Sequence, residues 1–147
     1  MTPPGSRGRE SPSAPGYSGT PLTKKLGIRE ASRVLVANAP RSYTEIASPL
    51  PPGVELVTRA TASVDLAHLF VTRRSELERR LTTLRARLRP EVPVWVSWPK
   101  KSSKVPTDVT EEVVRAVALP MGWVDVKVCA VDALWSGLKL VVRKTLR

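Results

Sequence analysis

Cysteine and histidine are nearly absent from this chain of 147 residues: Cys129 is the only cysteine and His68 the only histidine. One cysteine cannot close an internal disulfide, and one Cys with one His cannot build a structural zinc site, so no metal ligand set is expected. Cys129 lies in the β-type run VKVCAV, which reads as a buried, inert thiol. His68 lies in VDLAHLFV, where a core histidine is a better reading than a catalytic base. No run approaches the roughly 18 apolar residues of a membrane span. Met1–Thr20 is rich in Pro, Gly and Ser and lacks the apolar stretch of a signal peptide. The expectation is a soluble, cytoplasmic protein with a disordered tail over 1–20, since that segment has too little apolar surface to offset its ordering entropy. Residues 21–147 then form a single domain.

Motifs that would announce a reaction are missing too. There is no G-x-x-x-x-G-K-[ST] phosphate loop, no G-x-S-x-G elbow, and no helix-turn-helix, zinc-finger or RNP pattern. Asp65, Asp108, Asp125 and Asp132 form no paired-carboxylate motif, so no catalytic residue and no cofactor is assigned. No internal repeat is present. Acidic residues are also scarce, 13 against 24 Lys plus Arg, for a net charge of +11. That balance favours anionic partners: a phosphorylated small molecule, nucleic acid or an acidic protein surface.

What is present is an alternation of apolar strands with amphipathic helices. VLVA (Val34–Ala37) is a buried first strand broken by Asn38-Ala39-Pro40. SYTEIASPL offers a short helix, and the LPPG turn leads into VELVT. Val64–Val71 is a third strand. Ser75 with Glu78 reads as a capping box. Leu77, Leu81, Leu84 and Leu88 then recur at spacings of four, three and four, one stripe of a helix that Pro90 ends. VPVWVSW is a fourth strand. Asp108 and Glu111 cap a further helix with Val109, Val113, Val114, Val117 and Ala118 inward. Val124–Val131 and Leu138–Arg143 form a closing hairpin about a turn near Trp135–Gly137. The fold class is α/β: a small Rossmann-like, mostly parallel sheet of about six strands, helices on both faces, and a C-terminal antiparallel hairpin.

The segments GYSGTPLTKKLGI, VANAP, HLFVT and WVSWPKKSSKVPTDVTEEVVRAVALPMGWVDVKVCAVDALWSGLKLVVRK resemble an uncharacterised bacterial family known only as a domain of unknown function, over about Gly16–Arg147. The order of elements more distantly resembles the class I methyltransferase-like Rossmann fold, with one strand and one helix absent between Val57 and Val64. That second resemblance implies a Gly-rich turn after the first strand and an acidic residue at the end of the second, to hold S-adenosylmethionine. Here those places read Asn38-Ala39-Pro40-Arg41 and Thr58-Arg59, so that cofactor is not expected.

Ligands of such sheets bind at the carboxyl ends of the strands. The candidate site is therefore a rim of Asn38, Lys100, Lys101, Lys104, Trp135 and Ser136, with Trp98 or Trp135 supplying an apolar surface. The lysines, together with the helix start at Thr107–Asp108, would hold an anion; the competing reading is a solvated loop. Arg73, Arg80 and Arg87 recur every seven residues and could contact nucleic acid, though outer helix faces are usually only solvated. The leading expectation is a non-catalytic or degenerate Rossmann-like protein that binds an anionic ligand or partner at this rim. The alternatives are a transferase acting on a phosphorylated or nucleotide substrate, and a nucleic-acid-associated basic protein. Nothing in the sequence fixes the oligomeric state.

Overall fold

The computed structural model describes residues 21–147, and the tail expected over 1–20 lies outside them. Its elements are α1 (Leu22–Leu26), β1 (Arg33–Ala37), α2 (Tyr43–Ile46), β2 (Glu55–Val57), β3 (Leu66–Phe70), α3 (Arg74–Arg87), β4 (Val94–Pro99), α4 (Glu111–Ala118), β5 (Trp123–Ala130) and β6 (Trp135–Val142). Short 3₁₀ turns at Lys101–Ser103, Leu119–Met121 and Lys144–Leu146 complete the order.

Six strands form one sheet in the order β2-β1-β3-β4-β6-β5. β2, β1, β3 and β4 run parallel, and β6 joins antiparallel to both β4 and β5. The expected α/β class and closing hairpin are both observed. The chain passes from β2 to β3 without an intervening helix, which leaves three-residue β2 as a sheet edge.

Strand alternation divides the core in two. Leu35, Ala67, Leu69, Val94, Val96, Trp98, Leu138 and Leu140 point toward α3 and α4. Val34, Leu66, Phe70 and Trp95 point toward α1 and α2. The leucine stripe of α3 behaves as its spacing requires, with Leu77 and Leu81 fully buried and Leu84 and Leu88 nearly so. Each such side chain contributes roughly 2 kcal/mol by removal from water. Gly122, at φ 103, ends the turn before β5. That left-handed backbone favours glycine over any residue with a side chain.

Three local expectations are corrected. Ser75 lies inside α3 and its side chain caps nothing; the N-cap position is Arg73, and the Arg74 amide donates instead to Asp108 Oδ1 at 2.7 Å. Asp108 thus serves α3 across a gap of 34 residues, while α4 takes Thr110 as its cap through Val113 N–H at 3.2 Å. Trp135–Gly137 is not the hairpin turn but the start of β6. The turn is Val131–Leu134, closed by Asp132 Oδ1, which accepts from the amides of Leu134 at 2.8 Å and Trp135 at 2.9 Å.

Candidate functional site

Four parallel strands deliver their carboxyl ends to one side of the sheet. The order reverses between β1 and β3, and such a switch point opens a crevice in sheets of this kind. Asn38 leaves β1 there with φ 61, a left-handed turn that asparagine tolerates better than most residues. Its Nδ2 donates to Glu76 Oε2 near the start of α3, which ties the two lips of the crevice together. Three residues on, Arg41 Nη1 reaches Asp132 Oδ2 at 3.2 Å. Asp132 is therefore a turn-closing and ion-pairing carboxylate.

The lysine loop follows β4. The Lys100 amide donates to Leu134 O at 2.8 Å, and Ser136 and Trp135 lie opposite Trp98 and Pro99 in the β4–β6 ladder. The hairpin turn and the lysine loop therefore share one rim. Ser103 Oγ donates to Lys100 O at 2.6 Å, and Lys104 holds φ 60, so this is a shaped turn. Farther along, Thr107 Oγ1 donates to Thr72 O at 2.7 Å, stitching the loop to the end of β3. An open groove of about 300 Å³ lies there, lined by Thr72, Arg73, Pro106, Thr107 and Asp108. Among the described residues, Lys100, Lys101 and Lys104 make no ion pair.

The expected site does not assemble in full. Trp98 is 7% exposed and packed in the α3/α4 core, so it offers no stacking face. Trp135 is half-buried on the opposite face of the sheet, edge-on to Phe70 at 5.3 Å. Nor does the start of α4 supply an anion site: Glu111 and Glu112 occupy its first turn, and Glu111 pairs with Arg115. Arg115 also donates to Asp125 at 2.8 Å, a hydrogen bond that holds the Asp125 carboxyl below its usual range. What remains together at the rim is Lys100, Lys101, Lys104 and the half-buried start of β6.

His68 forms a buried network that sequence reasoning did not find. Its Nδ1 and Nε2 each lie 2.7 Å from an oxygen, Tyr43 Oη and Ser97 Oγ respectively. Phe70 stacks on the ring at 4.4 Å. Burial drives the imidazole pKa down to about 3, so the ring is neutral near pH 7, accepting at one nitrogen and donating at the other. Burial likewise raises the Tyr43 phenol and the Cys129 thiol. Tyr43, His68 and Ser97 come from α2, β3 and β4, and no single segment carries a signal for the set. The core reading of His68 is the one observed. With no solvent-facing surface, it is not a base for a rim-bound substrate.

Two grooves escaped the sequence reading. One of about 480 Å³ lies at the amino ends of the strands, lined in part by Arg29, Glu30, Asp65, Pro93 and Lys139. Another of about 380 Å³ flanks the edge strand β2 and its carboxyl end, with Arg33, Leu56, Thr58, Arg59, Thr61 and Ser63 among its walls. The described residues contain no cluster of His, Cys, Asp and Glu able to hold a metal ion, and none of their helices is long and apolar enough to cross a membrane.

Comparison with solved structures places this geometry. The chain superposes on a protein described as a type 11 methyltransferase from Sulfolobus solfataricus with a TM-score of 0.60 at 10% identity, covering 84% of this chain and 90% of that one. An S-adenosylmethionine-dependent methyltransferase from Aquifex aeolicus gives 0.50 at 13% identity, with 83% and 88% covered. The fold is methyltransferase-like. A pericyclic-reaction enzyme gives 0.53 at 11% identity, with 84% of this chain and 47% of that one covered; this chain spans about half of that enzyme. No family model matches, so the resemblance to the domain of unknown function finds no support. No curated protein matches either. The expectation of a non-catalytic or degenerate protein is corrected here: solved structures that share the fold are described as methyltransferases and as a pericyclic-reaction enzyme.

S-adenosylmethionine does not fit the residues present. The turn after β1 has a side chain at every position from Asn38 to Ser42, and Asn38 Nδ2 is engaged with Glu76 across the crevice. The ladder sets Leu35 opposite Val57, the last residue of β2, and Thr58 and Arg59 follow it. No carboxylate directly follows β2 to accept from ribose hydroxyls.

Proposed function

We propose that this chain is a transferase on a methyltransferase-type frame, acting on a phosphorylated or nucleotide substrate held at the carboxyl rim of the sheet. One observation carries the reading. Lys100, Lys101 and Lys104 are three ammonium groups without ion-pair partners among the described residues, set on a shaped turn at the end of β4, one strand beyond the β1/β3 switch point and on the carboxyl side of the sheet, where sheets of this kind bind ligands. Their flexible donors suit phosphate oxygens as point charges. The described residues place no solvent-facing histidine at the rim, so catalysis would come from positioning and charge neutralisation.

The test is isothermal titration of adenosine 5′-monophosphate and inorganic phosphate into the protein and into the K100A/K101A/K104A variant. Nucleotide binding should be at least tenfold weaker in the variant, with an unchanged melting temperature. Equal affinities would refute it. Binding that takes only long nucleic acid, insensitive to sequence and falling steeply with salt, would assign the charge to counterion release from a polyanion instead.

A further inference from the structure

Thr58 and Arg59 stand where a methyltransferase-type cofactor site needs an acid, and the chemistry around them is coherent for the opposite charge. The groove beside them is lined by Arg33, Leu56, Val57, Thr58, Arg59, Thr61 and Ser63, with no carboxylate among them. Arg33 is anchored, its Nη1 donating to Ser63 Oγ at 3.0 Å and its Nη2 3.1 Å from Glu55. Arg59 is exposed and makes no hydrogen bond or ion pair among the described residues. Because β2 is an edge strand, its outer side is open to a ligand. Leu56, 39% exposed, adds an apolar wall. The groove's volume of about 380 Å³ falls within the range of small-molecule sites, roughly 300–1,000 Å³. At the end of this strand in nucleotide-binding sheets, an acid selects a free ribose hydroxyl and an arginine selects a ribose phosphate.

We infer that Arg59, with the hydroxyl of Thr58, forms a second anion subsite that takes the ribose phosphate of a nucleotide. The inference rests on the transferase reading for its biological sense, but its chemistry is separate from that of the lysine loop. It names the ligand class of the β2 end: a ribose-phosphorylated nucleotide and not a sulfonium cofactor, whose ribose hydroxyls would find no carboxylate acceptor there.

The experiment titrates adenosine 2′,5′-bisphosphate, adenosine 5′-monophosphate and S-adenosylmethionine into the full chain and into Arg59→Ala, Arg59→Lys and the triple-lysine variant, at low salt. The full chain should bind the bisphosphate at least tenfold more tightly than the monophosphate. Arg59→Ala should erase that preference while leaving monophosphate affinity and melting temperature unchanged, and Arg59→Lys should keep part of it. A preference that survives Arg59→Ala overturns the subsite, as does S-adenosylmethionine binding as tightly as the bisphosphate. The two proposals fail separately. Loss of monophosphate binding only in the triple-lysine variant supports the rim, and loss of the 2′-phosphate preference only in Arg59→Ala supports this subsite. No binding of any probe overturns both.

Discussion

Acid should destabilise this protein through His68 in a window set by that one residue. The folded imidazole titrates at about 3 because burial penalises its charged form, against about 6.5 in an unfolded chain. The unfolded state therefore takes up the proton first as pH falls, and stability declines with it. The contribution is nearly complete at pH 7 and is lost progressively from about pH 6.5 down toward pH 3. By linkage the loss between pH 7 and pH 5 is about 2 kcal/mol, and the whole shift corresponds to about 5 kcal/mol. Protonation also removes the acceptor nitrogen from the Tyr43–His68–Ser97 chain, whose two contacts are each 2.7 Å. Urea denaturation at pH 7, 6 and 5 measures the slope. Carboxylates add a slope of their own, so the comparison is with His68→Gln, which leaves them in place. That variant should be less stable at pH 7 by roughly 1–3 kcal/mol, through imperfectly satisfied partners. Its loss between pH 7 and pH 5 should be smaller than the wild type's by about 2 kcal/mol. Parallel curves for the two proteins would refute the buried, neutral histidine.

Other perturbations separate the observed contacts from the expected ones. Asp108→Ala should cost about 1 kcal/mol in chemical denaturation, because it removes the acceptor of the Arg74 amide. Ser75→Ala should cost almost nothing, and the reverse order would restore the capping box. Trp98→Ala should destabilise by about 3–5 kcal/mol as a core truncation, and a near-neutral result would return Trp98 to the rim. Adding S-adenosylmethionine should leave the melting temperature unchanged, where a bound ligand at 100 times its dissociation constant would add about 2.7 kcal/mol; a clear upward shift would contradict the misfit at Asn38 and Arg59.

The fold was legible because its signals are local and redundant. The α3 leucines repeat at helical spacing, the strands are short apolar runs between turn residues, and Gly122 follows Pro120 where α4 ends. The cap of α3 was not legible, since its acceptor comes from 34 residues away and Ser75 with Glu78 imitates a local cap at the wrong place. Trp98 is a different case. The alternation Val94, Val96, Trp98 already assigns it to the face of α3 and α4, and weighting its position at a strand end over that parity put it on the rim. Asn38 was readable as a turn residue after a strand, while its partner Glu76 was not, because side-chain pairing across a crevice leaves no mark in either segment. In the sequence Thr58-Arg59 is only the lack of an acid; the folded chain sets the arginine in a groove at the open β2 edge.

The most direct test of a phosphate-binding carboxyl rim is a crystal structure of the protein with adenosine 2′,5′-bisphosphate. Phosphate oxygens should lie within hydrogen-bond distance of the Lys100–Lys104 turn and of Arg59, after β4 and β2. Density for the nucleotide in the groove between Arg29 and Lys139, at the amino ends of the strands, would contradict it.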